Sequence, residues 1–89
     1  AEIVISEFMD EAAVADLRAS FDVLYDKTLV DRPEELAAAA AGCRALIVRN
    51  RTQVRGALLE GAHLRVVGRL GVGLDNIDCK ACRERGIAV

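Results

Sequence analysis

Two short stretches of this chain carry residue types and spacings that could do chemistry. In one, Gly71-Val72-Gly73 follows closely on the apolar pair Val66-Val67 and runs into Leu74-Asp75-Asn76-Ile77-Asp78. Glycines just behind a buried strand let backbone approach a ligand, and successive N–H groups in such a turn form a concavity for an anion. The segment therefore suits a small carboxylate or phosphate held by main chain, although the same glycines also suit a tight turn and nothing more. In the other stretch, Arg49-Asn50-Arg51-Thr52 follows the apolar run Ala45-Leu46-Ile47-Val48. An arginine fork matches carboxylate, phosphate or sulfonate, and Asn50 can donate or accept. Arg49 and Arg51 alternate along an extended loop, so they need not face the same way, and both also fit solvated surface charges. The chain has no HxxxH pair and no Ser/His/Asp set, and its single histidine, His63, reads as a surface or half-buried side chain. The chemistry on offer is anion binding.

The elements that must position these loops alternate strand and helix. Glu2–Ile5 reads as strand one, Phe21–Tyr25 as strand two, Ala45–Val48 as strand three, Leu64–Gly68 as strand four, and Ile87-Ala88-Val89 as the start of strand five. Met9, Ala13 and Leu17 recur at helical spacing. Asp31-Arg32-Pro33-Glu34-Glu35 looks like a helix start with Asp31 as cap, and this alanine-rich helix stops at Gly42. Thr52 can cap a helix carrying Val54, Ala57, Leu58 and Ala62, and Asp78 a last helix that ends at Gly86. Such alternation predicts an α/β fold with a parallel sheet, and the flavodoxin-like open order 2-1-3-4-5 fits five strands. In that order strands one, three and four are neighbours. The loops beginning at Ser6-Glu7, at Arg49 and at Arg69 then meet at one carboxyl edge, where open α/β sheets hold ligands. Arg69 reads as a structural ion pair with Asp75 or Asp78, and Asp75 and Asn76 as turn and cap residues. A sheet that stops within strand five is expected to be incomplete at its C-terminal end.

Gly68-Arg69, Gly71-Val72-Gly73-Leu74-Asp75-Asn76-Ile77-Asp78 and Arg85-Gly86-Ile87-Ala88-Val89 together resemble the D-isomer-specific 2-hydroxyacid dehydrogenases. The phosphoglycerate, hydroxypyruvate and sulfolactate dehydrogenases are the members most alike. The resemblance runs from Ile3 to Val89 and is most specific from Ala45 onward. It implies that residues 1–89 are part of the substrate domain of an NAD- or NADP-dependent oxidoreductase that interconverts a D-2-hydroxy acid and a 2-oxo acid. It also implies that the Val72 and Gly73 N–H groups hold the substrate carboxylate. Arg49-Asn50-Arg51-Thr52 matches the family's substrate loop, with Asn50 where serine is usual, so Arg49 and Arg51 would face a second anionic group, phosphate or sulfonate. The catalytic His, Glu and Arg and the nicotinamide-binding domain would lie beyond Val89, and these residues alone would be inactive. The third glycine of a dinucleotide fingerprint is missing after Gly71 and Gly73, so NAD is not expected on this turn. Family members are commonly dimers through the cofactor domain.

Composition narrows the alternatives. With 89 residues one domain is the limit, and a chain this size buries about two thirds of its unfolded surface. The net charge of -2 and 3% aromatic content give no reason to expect nucleic acid or a membrane surface as partner. No leader is evident at Ala1–Asp10 and no apolar run approaches a membrane span, so a cytoplasmic protein is expected. Cys43, Cys79 and Cys82 are an odd number, which suits a reducing compartment. Cys79 and Cys82 have CxxC spacing, but a zinc site would need two more ligands from only Cys43 and His63, and Cys82 reads best as an inward-facing core residue. Receiver domains share the strand order yet need an acid after strand three, where this chain has Arg49-Asn50. The remaining alternatives to an enzyme are a stand-alone small-anion binding module and an interaction fragment that pairs through its open sheet edge.

Overall fold

The computed structural model describes residues 1–89. Its strands are β1 (Ile3–Ile5), β2 (Val23–Tyr25), β3 (Ala45–Val48) and β4 (Val66–Arg69), all parallel, in the order β2-β1-β3-β4. The helices are α1 (Glu11–Arg18), α2 (Pro33–Ala41), α3 (Ala57–Glu60) and α4 (Cys79–Glu84), with a 3-10 turn at Leu29–Asp31. The expected order is thus found for four strands. Beside β4, where a fifth was expected, Ala88 forms a single parallel bridge to Val66.

Alternation along the strands divides the core between the two faces of the sheet. Val4, Leu46, Val48 and Val67 point to one face and join Leu36, Ala40, Leu58, Leu59, Ile77 and Cys82 from the segments that cover it. Ile3 and Ile5 point to the other, where Val14 of α1 packs on them with Met9, Leu17 and Ile47 at the margin. Each fully buried Val, Leu or Ile contributes about 1.5–3 kcal/mol of transfer free energy. Ala40 is fully buried, and its small side chain lets α2 lie close to the sheet. Asp10 caps α1 by accepting from the Ala12 N–H, and Asp78 caps α4 by accepting from the Ala81 N–H at 3.0 Å.

Two expected caps are not caps. Asp31 closes the 3-10 turn instead, Arg32 takes the N-cap position of α2, and Pro33 fills the first helical position, whose N–H would be unpaired anyway. Thr52 does not start a helix, because its hydroxyl lies 2.9 Å from the Ser6 hydroxyl and its N–H is held by Glu7. The chain stays extended past Thr52, and Val54 pairs with Ile77 through Val54 N–H to Asn76 C=O and Asp78 N–H to Val54 C=O, both 2.9 Å. The helix begins only after Gly56, whose φ of +57° makes the turn, and runs four residues.

Candidate anion-binding edge

Parallel strands β1, β3 and β4 are adjacent, so the loops that leave their carboxyl ends share one edge. The Arg49–Thr52 loop is fixed there from two sides. From β1, the Glu7 carboxylate, 4% exposed, accepts three backbone N–H groups: Arg49 at 2.8 Å, Thr52 at 2.9 Å and Arg51 at 3.1 Å. Burial alone would raise the Glu7 carboxyl. The Thr52 and Arg49 N–H groups, with the Thr52 hydroxyl and the Arg51 N–H, outweigh it and hold the carboxyl below its ordinary value. Glu7 is therefore an anion whose charge is spent on the loop's backbone.

From the other side comes Asn76, 2% exposed. Its amide nitrogen donates to the Thr52 carbonyl at 2.8 Å and the Arg49 carbonyl at 2.9 Å. Its amide oxygen accepts from Arg69 Nε at 2.8 Å. The Arg69 side chain, 7% exposed, also donates through Nη1 to the Val72 carbonyl and lies 3.8 Å from the Asp75 carboxylate. The ion pair expected of Arg69 is thus made with Asp75 and not with Asp78. Asp75 and Asn76 are the central residues of a turn closed by the Ile77 N–H on the Leu74 carbonyl, as expected, but neither is a cap; the cap is Asp78, and the Asn76 side chain is drawn inward because two loop carbonyls and a guanidinium need one side chain with both donors and an acceptor.

The glycine turn lies beyond Arg69. Gly71 has φ +108° and Gly73 φ +87°, conformations that residues with a Cβ adopt only under strain. Val72 is 92% exposed. The N–H groups of residues 71–76, those of Val72 and Gly73 among them, donate to no group of the chain, whereas those of Leu70 and Ile77 at the two ends are paired. Free donors in a glycine turn at a strand's carboxyl end are what a carboxylate needs. Asn76 stands where a dinucleotide fingerprint would have its third glycine, and the Asp78 carboxylate caps the start of α4.

Arg49, Asn50 and Arg51 line a cleft of 280 Å³ with Glu7, Phe8, Lys27 and Val30. Arg49 is half-buried and reaches the Phe8 carbonyl at 3.4 Å, while the exposed Arg51 pairs with Asp31. The two arginines do diverge, but both border the same cleft. Lys27 adds a third cation that sequence reasoning passed over, since one lysine in a turn carries no signal until β2 is placed beside β1. Glu7 was legible only as an acid directly after an apolar strand. Its partners are backbone groups more than forty residues away, which no spacing encodes.

The profile of the family described as "D-isomer specific 2-hydroxyacid dehydrogenase, catalytic domain" matches residues 3–89. The chain is 62% identical over 89 residues to the (S)-sulfolactate dehydrogenase of Chromohalobacter salexigens, covering 99% of this chain and 29% of that protein. It is 35% identical to the D-3-phosphoglycerate dehydrogenase of Archaeoglobus fulgidus over 99% of this chain and 17% of the relative. Among solved structures, the 2-hydroxyacid dehydrogenase of Ketogulonicigenium vulgare Y25 superposes with a TM-score of 0.76 at 33% identity, over 97% of this chain and 27% of that one. The chain thus spans less than a third of the length of these relatives. A profile match over nearly every residue, borne on a sheet of the same shape, establishes that this chain belongs to the D-isomer specific 2-hydroxyacid dehydrogenase family, within its catalytic domain.

Proposed function

We infer that residues 1–89 form part of the substrate-binding domain of a D-2-hydroxyacid dehydrogenase, and that their task is to hold a substrate anionic at both ends. The observation that carries this reading is the pairing, on one sheet edge, of free N–H donors at Val72 and Gly73 with the Lys27, Arg49 and Arg51 cations. The turn would take the carboxylate next to the reacting carbon. The cations, with Asn50, would take the distal group. Likeness at 62% to a protein named (S)-sulfolactate dehydrogenase favours a sulfonate there, with phosphate next. Fixed donors and cations of this kind contribute by positioning and by electrostatics. Hydride would pass between the substrate C2 and NAD or NADP held outside these residues, whose glycine turn has Asn76 where a dinucleotide fingerprint would have its third glycine. On this reading the full-length protein works in the cytoplasm as a homodimer joined through its cofactor domain, with Cys43, Cys79 and Cys82 reduced and with no nucleic-acid or membrane partner.

The test is oxidation of NADH or NADPH by the full-length protein with a panel of 2-oxo acids. A terminal sulfonate or phosphate should raise kcat/KM well above that for a simple 2-oxo acid of equal length. Equal values across the panel would overturn the distal-anion assignment, and no turnover with any 2-oxo acid would overturn the enzyme assignment.

A further inference from the structure

We propose that Asn76 and Arg69 are positioning residues that clamp the two anion-facing loops to each other, so that the distance between the substrate's two anion sites is set by a side-chain hydrogen-bond relay. The relay is continuous. The Arg49 and Thr52 carbonyls accept from the Asn76 amide nitrogen, the Asn76 amide oxygen accepts from Arg69 Nε, and Arg69 Nη1 donates to the Val72 carbonyl. One end of the chain of bonds is the backbone that carries Arg49. The other is the peptide unit whose carbonyl belongs to Val72 and whose N–H belongs to Gly73, one of the two free donors.

The residue types matter at each step. Only a carboxamide offers two donors to two carbonyls and an acceptor to a guanidinium from one short side chain. Only the planar guanidinium can donate in one plane to Asn76 and to Val72 while facing Asp75. Both side chains are buried, so the bonds that Asn76 makes are largely shielded from water, and the bond to Val72 at the end of the relay is the one open to solvent. Glu7 holds the Arg49–Thr52 loop but does not reach the glycine turn; backbone bonds join the flanks of the two loops, Leu70 N–H to the Val48 carbonyl and Val54 with Ile77, and Arg55 reaches the Asp75 carbonyl, whereas the side-chain link from the Arg49 backbone to Val72 runs through Asn76 and Arg69.

The clamp rests on the proposed function only for what the two loops bind; its mechanical part stands apart, and the experiment separates them. In the full-length protein, Asn76→Ala, Arg69→Lys, Arg49→Ala and Leu64→Ala would be compared with the parent. Leu64 is a core residue at the amino end of β4, away from this edge, and controls for general destabilisation. Native-state amide exchange would be read at the bonded amides, Arg49, Arg51 and Thr52 in one loop and Leu70 and Ile77 at the ends of the other, and kcat/KM for a sulfonated 2-oxo acid against pyruvate. Asn76→Ala and Arg69→Lys should each speed exchange in both loops, and each should lower the sulfonate preference by about tenfold, one hydrogen bond's worth. Leu64→Ala should leave the preference unchanged. Exchange that rises only in the substituted residue's own loop overturns the clamp, as does an equal loss of preference in Leu64→Ala. If Arg49→Ala leaves the preference intact, the distal-anion reading falls, and the exchange data still decide the clamp. If Asn76→Ala does not fold, Arg69→Lys, which keeps a cation at the site, carries the test.

Discussion

Replacing Glu7 by glutamine changes one buried oxygen into an NH2 group and removes one charge, and its consequences can be worked out bond by bond. In the parent, Glu7 Oε2 accepts from the Arg49 and Thr52 N–H groups and Oε1 from the Arg51 N–H. Hydrogen bonds to a charged group contribute about 1.5–3 kcal/mol each and neutral ones about 0.5–1.5. Glutamine can keep its oxygen toward Arg49 and Thr52, which weakens those two bonds by about 1 kcal/mol apiece. Its NH2 must then face the Arg51 N–H, donor against donor, which leaves a poorly solvated donor at a cost of about 1–3 kcal/mol. Relief from burying a charge offsets part of the total. A net loss of about 3 kcal/mol is expected, which lowers the urea midpoint by roughly 1–3 M for an m-value of about 1–3 kcal/mol/M.

The pH dependence gives a second reading of the same perturbation. The Glu7 carboxyl is held below its ordinary 4.5 in the folded protein, so the unfolded chain takes up its proton first as pH falls. Its stabilisation is therefore fully present above about 4.5 and drains away as the pH drops through the lower, folded value. Glu7→Gln cannot titrate there. Urea midpoints of the parent and of Glu7→Gln, measured in the full-length protein, should differ by a constant amount near neutrality and converge in acid. Equal midpoints at neutral pH, or a gap that persists unchanged into strong acid, would refute the view that this charge holds the loop.

Three further outcomes are expected. Arg49→Ala should raise KM for a sulfonated 2-oxo acid by about 10- to 100-fold, the value of one charge-assisted contact, and leave KM for pyruvate within about twofold; steady-state kinetics would show it. Gly73→Ala should cost about 1–2 kcal/mol, because φ +87° is strained for any residue with a Cβ while the new methyl group meets only the Asp75 carboxylate at 3.5 Å; it should also weaken every 2-oxo acid alike, since the carboxylate is common to all. Cys82, fully buried and with its thiol pushed up by burial and by neighbouring Cys79 and Asp78, should resist alkylation in the native protein while Cys79 reacts; mass spectrometry after iodoacetamide treatment would read the two sites separately.

The layering was legible because it depends on period and composition. Apolar runs bounded by helical spacing give four parallel strands in the expected order, and inward-facing Cys82 follows from its place on α4. What failed was local cap chemistry that tertiary partners override. Thr52 has the type and place of an N-cap, but Ser6 and Glu7 arrive across the sheet and take its hydroxyl and N–H. Asn76 is the turn residue its neighbours in sequence suggest, but its side chain is claimed by carbonyls 24 and 27 positions away rather than used as a cap. The proposed substrate residues were visible because arginines and glycines at strand ends are unusual on their own. The side chains beneath them were not, because a buried carboxylate and carboxamide are recognised only by what they touch.

That asymmetry has a physical origin. Hydrophobic burial is non-directional and fixes which face of a strand turns inward, but it leaves the ends of strands free to adjust. Buried hydrogen bonds are directional, and in a shielded setting an unpaired group is costly enough that all partners must be in place together. At this edge every buried side-chain nitrogen and oxygen has a partner. Glu7, Asn76 and Arg69 therefore hold their loops as one unit, each made tolerable in the interior by the others. The cations Lys27, Arg49 and Arg51 border the cleft on the open side of that unit. Backbone is fixed from beneath while charge stays at the cleft above, so the two proposed anion sites can keep a set separation without drawing on the side chains that would meet the ligand. Substitution of a residue that touches no ligand should then alter which acids are preferred.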